Sequence, residues 1–66
     1  MQITLNGESH ELSPGTSVRA LLDTLGFTPD ATVVERNADI VDRDAFGDTL
    51  LSDGDTVEVV RFVGGG

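Results

Sequence analysis

Cysteine, lysine, tryptophan and tyrosine are all absent from these 66 residues. Without cysteine there is no disulfide framework, no thiolate nucleophile and no sulfur-ligated zinc or iron–sulfur centre. Without lysine the chain offers no ε-amine for modification, leaving only the amine at its own N-terminus. No apolar run approaches the ~18–20 residues that span a bilayer. The opening residues have neither a basic start nor a continuous apolar stretch, so no secretory signal is expected and the cytoplasm is the expected address. A single small domain with no staples has a core worth only about 3–5 kcal/mol net. Such a core leaves little room for an internal active-site pocket, which points to a carrier, a binding module or a subunit rather than an enzyme.

Basic charge is scarce as well. Twelve acids stand against four bases, for a net charge of −8, and all four bases are arginine: Arg19, Arg36, Arg43 and Arg61. A chain this acidic, with no basic cluster, will not bind nucleic acid through its phosphates and will not favour an anionic membrane. The expected partner is a protein with a basic docking surface, although the same charge also serves plain solubility.

What is present reads as a short series of elements. Met1, Ile3 and Leu5 alternate with Gln2 and Thr4, the period of a half-buried strand. Asn6-Gly7 is a strong two-residue hairpin signal, and that loop pairs Leu5 with Glu8, Ile3 with His10 and Met1 with Leu12. Ser13-Pro14-Gly15 ends the hairpin, and Thr16-Ser17 supply helix N-cap hydroxyls. Val18, Leu21, Leu22 and Leu25 form one apolar helical stripe about two turns long. Gly26 is placed for a left-handed C-cap, and Pro29 is expected to forbid an early restart of the helix. Residues 32–36 are β-branched and read as a strand. Asn37-Ala38-Asp39 reads as a turn, with Ile40-Val41 as a brief return. Residues 42–48 are acidic and irregular, with one turn of helix expected around Phe46. Thr49-Leu50-Leu51 is expected to form a short edge strand before the turn Ser52-Asp53-Gly54-Asp55. The longest β-like run, 56–63, comes last.

One main helix packed on one face of a mixed four- to five-stranded sheet is a two-layer α+β domain. The final strand finds neighbours most simply by inserting near the middle of the sheet, which is the β-grasp, or ubiquitin-like, architecture. The domain is expected over residues 1–63, with Gly64, Gly65 and Gly66 as a flexible tail.

That tail is the feature that most needs explaining, with a frayed end as its plain alternative. Three glycines add nothing to a core, but a thread without Cβ atoms passes through a narrow channel and presents an unhindered α-carboxylate at Gly66. Transfer to AMP from ATP turns such a carboxylate into a mixed anhydride, and sulfur attacking that anhydride leaves a thiocarboxylate. The last strand adds a second feature. With Val57 and Val59 facing the core, Val60 and Phe62 face out on the uncovered side of the sheet, and Val60, Arg61 and Phe62 become candidates for partner docking. The opposite register would expose Val57 and Val59 instead. Asp42 and Asp44 with Gly47 and Asp53 fail as a calcium loop, because Phe46 and Asp53 occupy positions that need an oxygen ligand and a bidentate Glu. His10, the single histidine, has no partner pattern and reads as a partly buried hairpin residue, so no catalytic residue and no metal ligand is assigned.

The segments Val34-Glu35-Arg36-Asn37, Ile40-Val41 with Arg43, Asp53-Gly54-Asp55-x-Val57-Glu58 and Val60-x-Phe62-Val63-Gly64-Gly65-Gly66, with the Leu-Asn-Gly hairpin at 5–7, resemble the ThiS family of thiamine-biosynthesis sulfur carriers over nearly the whole chain. The resemblance implies a β-grasp fold and a non-enzymatic carrier with no bound cofactor. It implies adenylation of Gly66 with ATP by a ThiF-type adenylyltransferase, conversion to a thiocarboxylate, and delivery of sulfur to the thiazole synthase ThiG. Two alternatives use the same activated glycine: a ubiquitin-like protein modifier and the small subunit of molybdopterin synthase. An interaction domain with an incidental tail remains a further possibility.

Overall fold

A computed structural model describes residues 1–62. Strands β1 (Gln2–Leu5) and β2 (Glu8–Glu11) form the opening hairpin, followed by helix α1 (Val18–Leu25). Strands β3 (Thr32–Arg36), β4 (Asp39–Val41) and β5 (Thr56–Arg61) complete one five-stranded sheet in the order β2-β1-β5-β3-β4. The last strand is therefore central, parallel to β1 and antiparallel to β3. With one helix laid across this mixed sheet, the architecture is the β-grasp.

Local chemistry accounts for most of these boundaries. The β1–β2 register pairs Ile3 with His10 and Leu5 with Glu8, as a two-residue Asn6-Gly7 loop requires. Both loop residues are left-handed, at φ 48° and 83°, which is the type I′ turn that matches strand twist. Ser17 caps α1, its hydroxyl accepting from the Ala20 N–H at 3.0 Å, and Gly26 ends it at φ 79°. Eight residues make a marginal helix in isolation. Its stability comes from Val18, Leu21 and Leu22, which are buried in one cluster with Ile3, Leu5, Val34, Phe46, Leu51, Val57 and Val59. Each fully buried aliphatic side chain contributes about 1.5–3 kcal/mol.

Two stretches depart from the sequence-based expectation. Residues 49–51 do not form an edge strand of the sheet. Leu50 makes a single antiparallel bridge with Ser17, and the Leu51 N–H donates to the Thr16 carbonyl at 2.9 Å. The segment thus braces the start of α1, because burying Leu51 there serves the core better than lengthening an edge. Pro29 does not prevent helical structure either. It opens a 3-10 turn, Pro29–Ala31, since a proline at the first position gives up no hydrogen bond. A second 3-10 turn, Arg43–Ala45, lies in the acidic stretch and delivers Phe46 to the core.

Candidate functional site: the outgoing end of the central strand

Alternation along β5 decides what the end of the sheet presents. Val57 and Val59 are buried under α1, whereas Val60 is 55% exposed. Phe62 is also 55% exposed, and its N–H donates to the Ala31 carbonyl at 2.8 Å, carrying the β3-side ladder past the end of the strand. Arg61 takes the other face: its guanidinium stands 4.4 Å over the Phe27 ring, a cation–π contact on the helix side. The three expected docking residues therefore divide between the two faces, Val60 and Phe62 outward and Arg61 against Phe27. Gly64, Gly65 and Gly66, the expected tail, lie outside the described residues.

Neighbouring strands widen the outward patch. Val33 lies directly opposite Val60, Glu35 opposite Glu58, and Ile40, itself exposed, opposite Glu35. The face is thus an apolar corner, Val33, Val60 and Phe62, bordered by two carboxylates paired across strands. Like charges placed directly opposite are unfavourable in the free protein. A cationic group from a partner would relieve that opposition.

The strand itself is gripped from both sides. On the β3 side, the Asn37 N–H donates to the Thr56 carbonyl at 2.7 Å and its side-chain oxygen accepts from the Thr56 N–H at 2.9 Å. The Asn37 amide also donates to the buried Asp55 carboxylate at 3.0 Å. That carboxylate accepts from Arg36 Nε at 2.8 Å and from the Ser52 N–H at 2.8 Å. Burial opposes the charge on Asp55, but the bonds from Ser52, Asn37 and Arg36, with the Arg36 charge, outweigh it and hold the carboxyl below the usual carboxylate range. The Val-Glu-Arg-Asn and Asp-Gly-Asp motifs, distant in sequence, are two halves of this one network.

On the β1 side, the backbone ladder stops where the hairpin turns. The Asn6 N–H donates to the Val57 carbonyl at 3.0 Å, and beyond it the Asn6 side chain takes over. Its oxygen accepts from the Val59 N–H at 2.9 Å and its amide donates to the Val59 carbonyl at 3.2 Å. Sequence reading assigned Asn6 only a turn-forming role and missed this clamp, as it missed Phe27 beneath Arg61. The clue available was the Asn-Gly pair itself, whose left-handed asparagine leaves its amide free to act on a neighbour.

Comparison with known proteins agrees with this geometry. Residues 3–66 match the ThiS family. The chain belongs to that family. It is 32% identical over 65 residues to the sulfur carrier protein ThiS of Bacillus subtilis, a match covering 97% of this chain and 98% of that protein. The crystal structure of the thiamine biosynthesis protein ThiS from Geobacter metallireducens superposes with a TM-score of 0.84 at 35% identity, each chain covered in full. The ThiS-like sequence also occurs inside a larger protein. The chain is 47% identical over all 66 residues to a thiazole synthase of Magnetococcus marinus, but spans only 20% of that protein's length.

Proposed function

We propose that this ThiS-family chain is a sulfur carrier for thiazole formation in thiamine biosynthesis and that Gly66 is the group it carries sulfur on. The observation that supports the reading most is the family match, which extends through the whole domain to residue 66. The carboxylate of Gly66 attacks the α-phosphorus of ATP on a ThiF-type adenylyltransferase, forming an acyl adenylate and releasing pyrophosphate. A sulfide-level nucleophile then adds to the acyl carbon and expels AMP, leaving a C–S bond in place of a C–O bond. The chain is a co-substrate in both steps and supplies no catalytic group. Gly64 and Gly65 give the carboxylate its reach.

A ThiG-type thiazole synthase is the proposed acceptor. Its support is the ThiS-like fifth of the Magnetococcus marinus thiazole synthase, where carrier-like and remaining sequence share one polypeptide. Docking uses the outward corner of Val60 and Phe62, with Arg61 held on the opposite face against Phe27.

Intact mass spectrometry after incubation with the adenylyltransferase, ATP and a sulfur source tests the reading. A gain equal to sulfur replacing oxygen, localised to the last peptide, supports it, and no gain with an active enzyme overturns it. For docking, Phe62→Ser should weaken binding to the adenylyltransferase by about 1–3 kcal/mol. It should cost much less stability than Val59→Ser, which puts an unpaired hydroxyl into the core.

A further inference from the structure

We infer that Asn6 is a positioning residue for adenylation at the far end of the chain: its side chain fixes the direction in which the last strand leaves the sheet. The inference rests on the carrier reading above and adds a residue 53 positions away from the strand it holds.

The two neighbouring strands differ in length. Strand β1 ends at Leu5, opposite Val57, while β5 runs on to Arg61. A parallel neighbour that turns away this early leaves the N–H and C=O of Val59 facing no backbone partner. Unpaired backbone groups of this kind loosen a strand end, because water competes for them and the ladder frays. Asn6 supplies what the missing strand would have supplied, one acceptor at 2.9 Å and one donor at 3.2 Å to the same residue. A side-chain amide reproduces the donor and acceptor of a peptide group, and among the twenty residues only Asn and Gln carry one. Asn also tolerates the left-handed conformation that the turn needs at this position, φ 48°. On the opposite edge the Phe62 N–H is bonded to Ala31. The strand is thus held on one side at Val59 and on the other at Phe62, so the direction of departure is set by two fixed points instead of one. Loss of the Asn6 pair frees one edge of the strand just before the outward patch and leaves Val60 and Phe62 chemically intact.

This separates two kinds of damage. Removing a docking side chain raises KM for the carrier. Removing the clamp leaves the docking groups present but spreads the reacting carboxylate over more orientations in the bound complex, which lowers kcat. Asn6→Gly keeps the turn, since glycine accepts a positive φ, and deletes both bonds. Asn6→Asp keeps the acceptor for the Val59 N–H but sets an oxygen against the Val59 carbonyl.

The experiment uses the full chain, with amide hydrogen exchange by NMR and ATP–pyrophosphate exchange on the adenylating enzyme, well below each variant's melting temperature. In Asn6→Gly the Val59 amide should exchange about ten-fold faster or more, and kcat should fall about ten-fold with KM within about two-fold of wild type. Asn6→Asp should lie between wild type and Asn6→Gly in both readouts, and it carries the test if the glycine variant does not fold. Fast Val59 exchange with wild-type kcat overturns the inference, as does a loss that falls entirely on KM. A wild-type chain that is not adenylated at all overturns the carrier reading and with it the role given to Asn6. Failure of Asn6 alone is told apart from this because it requires an active wild type.

Discussion

The two hairpin turns of this protein have the same backbone shape and grip the same strand from opposite edges, yet they are built on different chemistry. Asn6-Gly7 and Asn37-Ala38 are both left-handed pairs, at φ 48° and 83° and at 51° and 72°. Each leads with an asparagine, and each asparagine turns its amide onto β5, Asn6 at Val59 and Asn37 at Thr56. The first grip is neutral and local to a single residue. The second draws in a buried carboxylate, a guanidinium and a backbone N–H, so it is charged and extends to Ser52. A small domain without disulfides thus anchors the start of its central strand electrostatically and the β1-side edge of its outgoing end by neutral amide hydrogen bonds. The start has the stronger anchor because it must also organise the 52–55 turn.

The largest break in this symmetry should come from Asp55→Ala. It leaves three donors without their acceptor in a site that is 7% exposed, and should cost roughly 2–4 kcal/mol, measured by urea unfolding. Arg36, partly exposed, can turn to water and keeps the loss from being larger. The same group makes the stability depend on pH. Because its folded pKa lies below the unfolded value of about 3.9, its contribution is fully present above that value and is lost as pH falls through the folded pKa. Asp55→Asn should flatten that part of the acid unfolding profile, whereas Asn6→Gly should leave its slope unchanged.

Asn6→Gly comes next. Two neutral hydrogen bonds at an exposed turn should be worth about 1–2 kcal/mol together, less than the charged network and independent of pH. A loss equal to that of Asp55→Ala would mean that the neutral grip carries as much of the strand as the charged one.

The smallest effects should come from exchanging the second turn residues. Gly7 has open space where a Cβ would stand, so Gly7→Ala meets only the backbone cost of a positive φ. That cost, less the entropy of glycine in the unfolded chain, is about 0.5–1 kcal/mol. Ala38→Gly should raise stability by a similar amount, since Ala38 already bears the same strain at φ 72°. Melting curves of both variants check whether the two turns are interchangeable at this position, and unequal magnitudes would show that they are not.

Much of the fold was legible because its signals are local. The alternation of Met1, Ile3 and Leu5, the Asn6-Gly7 loop, the Val18-Leu21-Leu22 stripe and the Gly26 stop each report through neighbours a few residues apart. The outward register of Val60 also followed from alternation, once Val57 and Val59 were taken as core. Residues 49–51 were misread because a short apolar run has no periodicity to say which element it pairs with. The contact of Arg61 with Phe27 was not legible, because the two residues are separated by more than half the chain. The Val-Glu-Arg-Asn and Asp-Gly-Asp motifs were visible as words, but not as parts of one network.

Composition and pattern by themselves determined that this chain has one small α+β core, no thiol chemistry of its own side chains, an excess of acidic residues, and a final β-like run followed by glycines. Only the tertiary structure decided which polar groups meet. Asp55 finds Arg36 and Asn37 across 19 and 18 residues, and Asn6 finds Val59 across 53. Such pairs leave no periodic trace, because a hydrogen bond constrains atoms within about 3 Å of each other in space and places no condition on their separation along the chain.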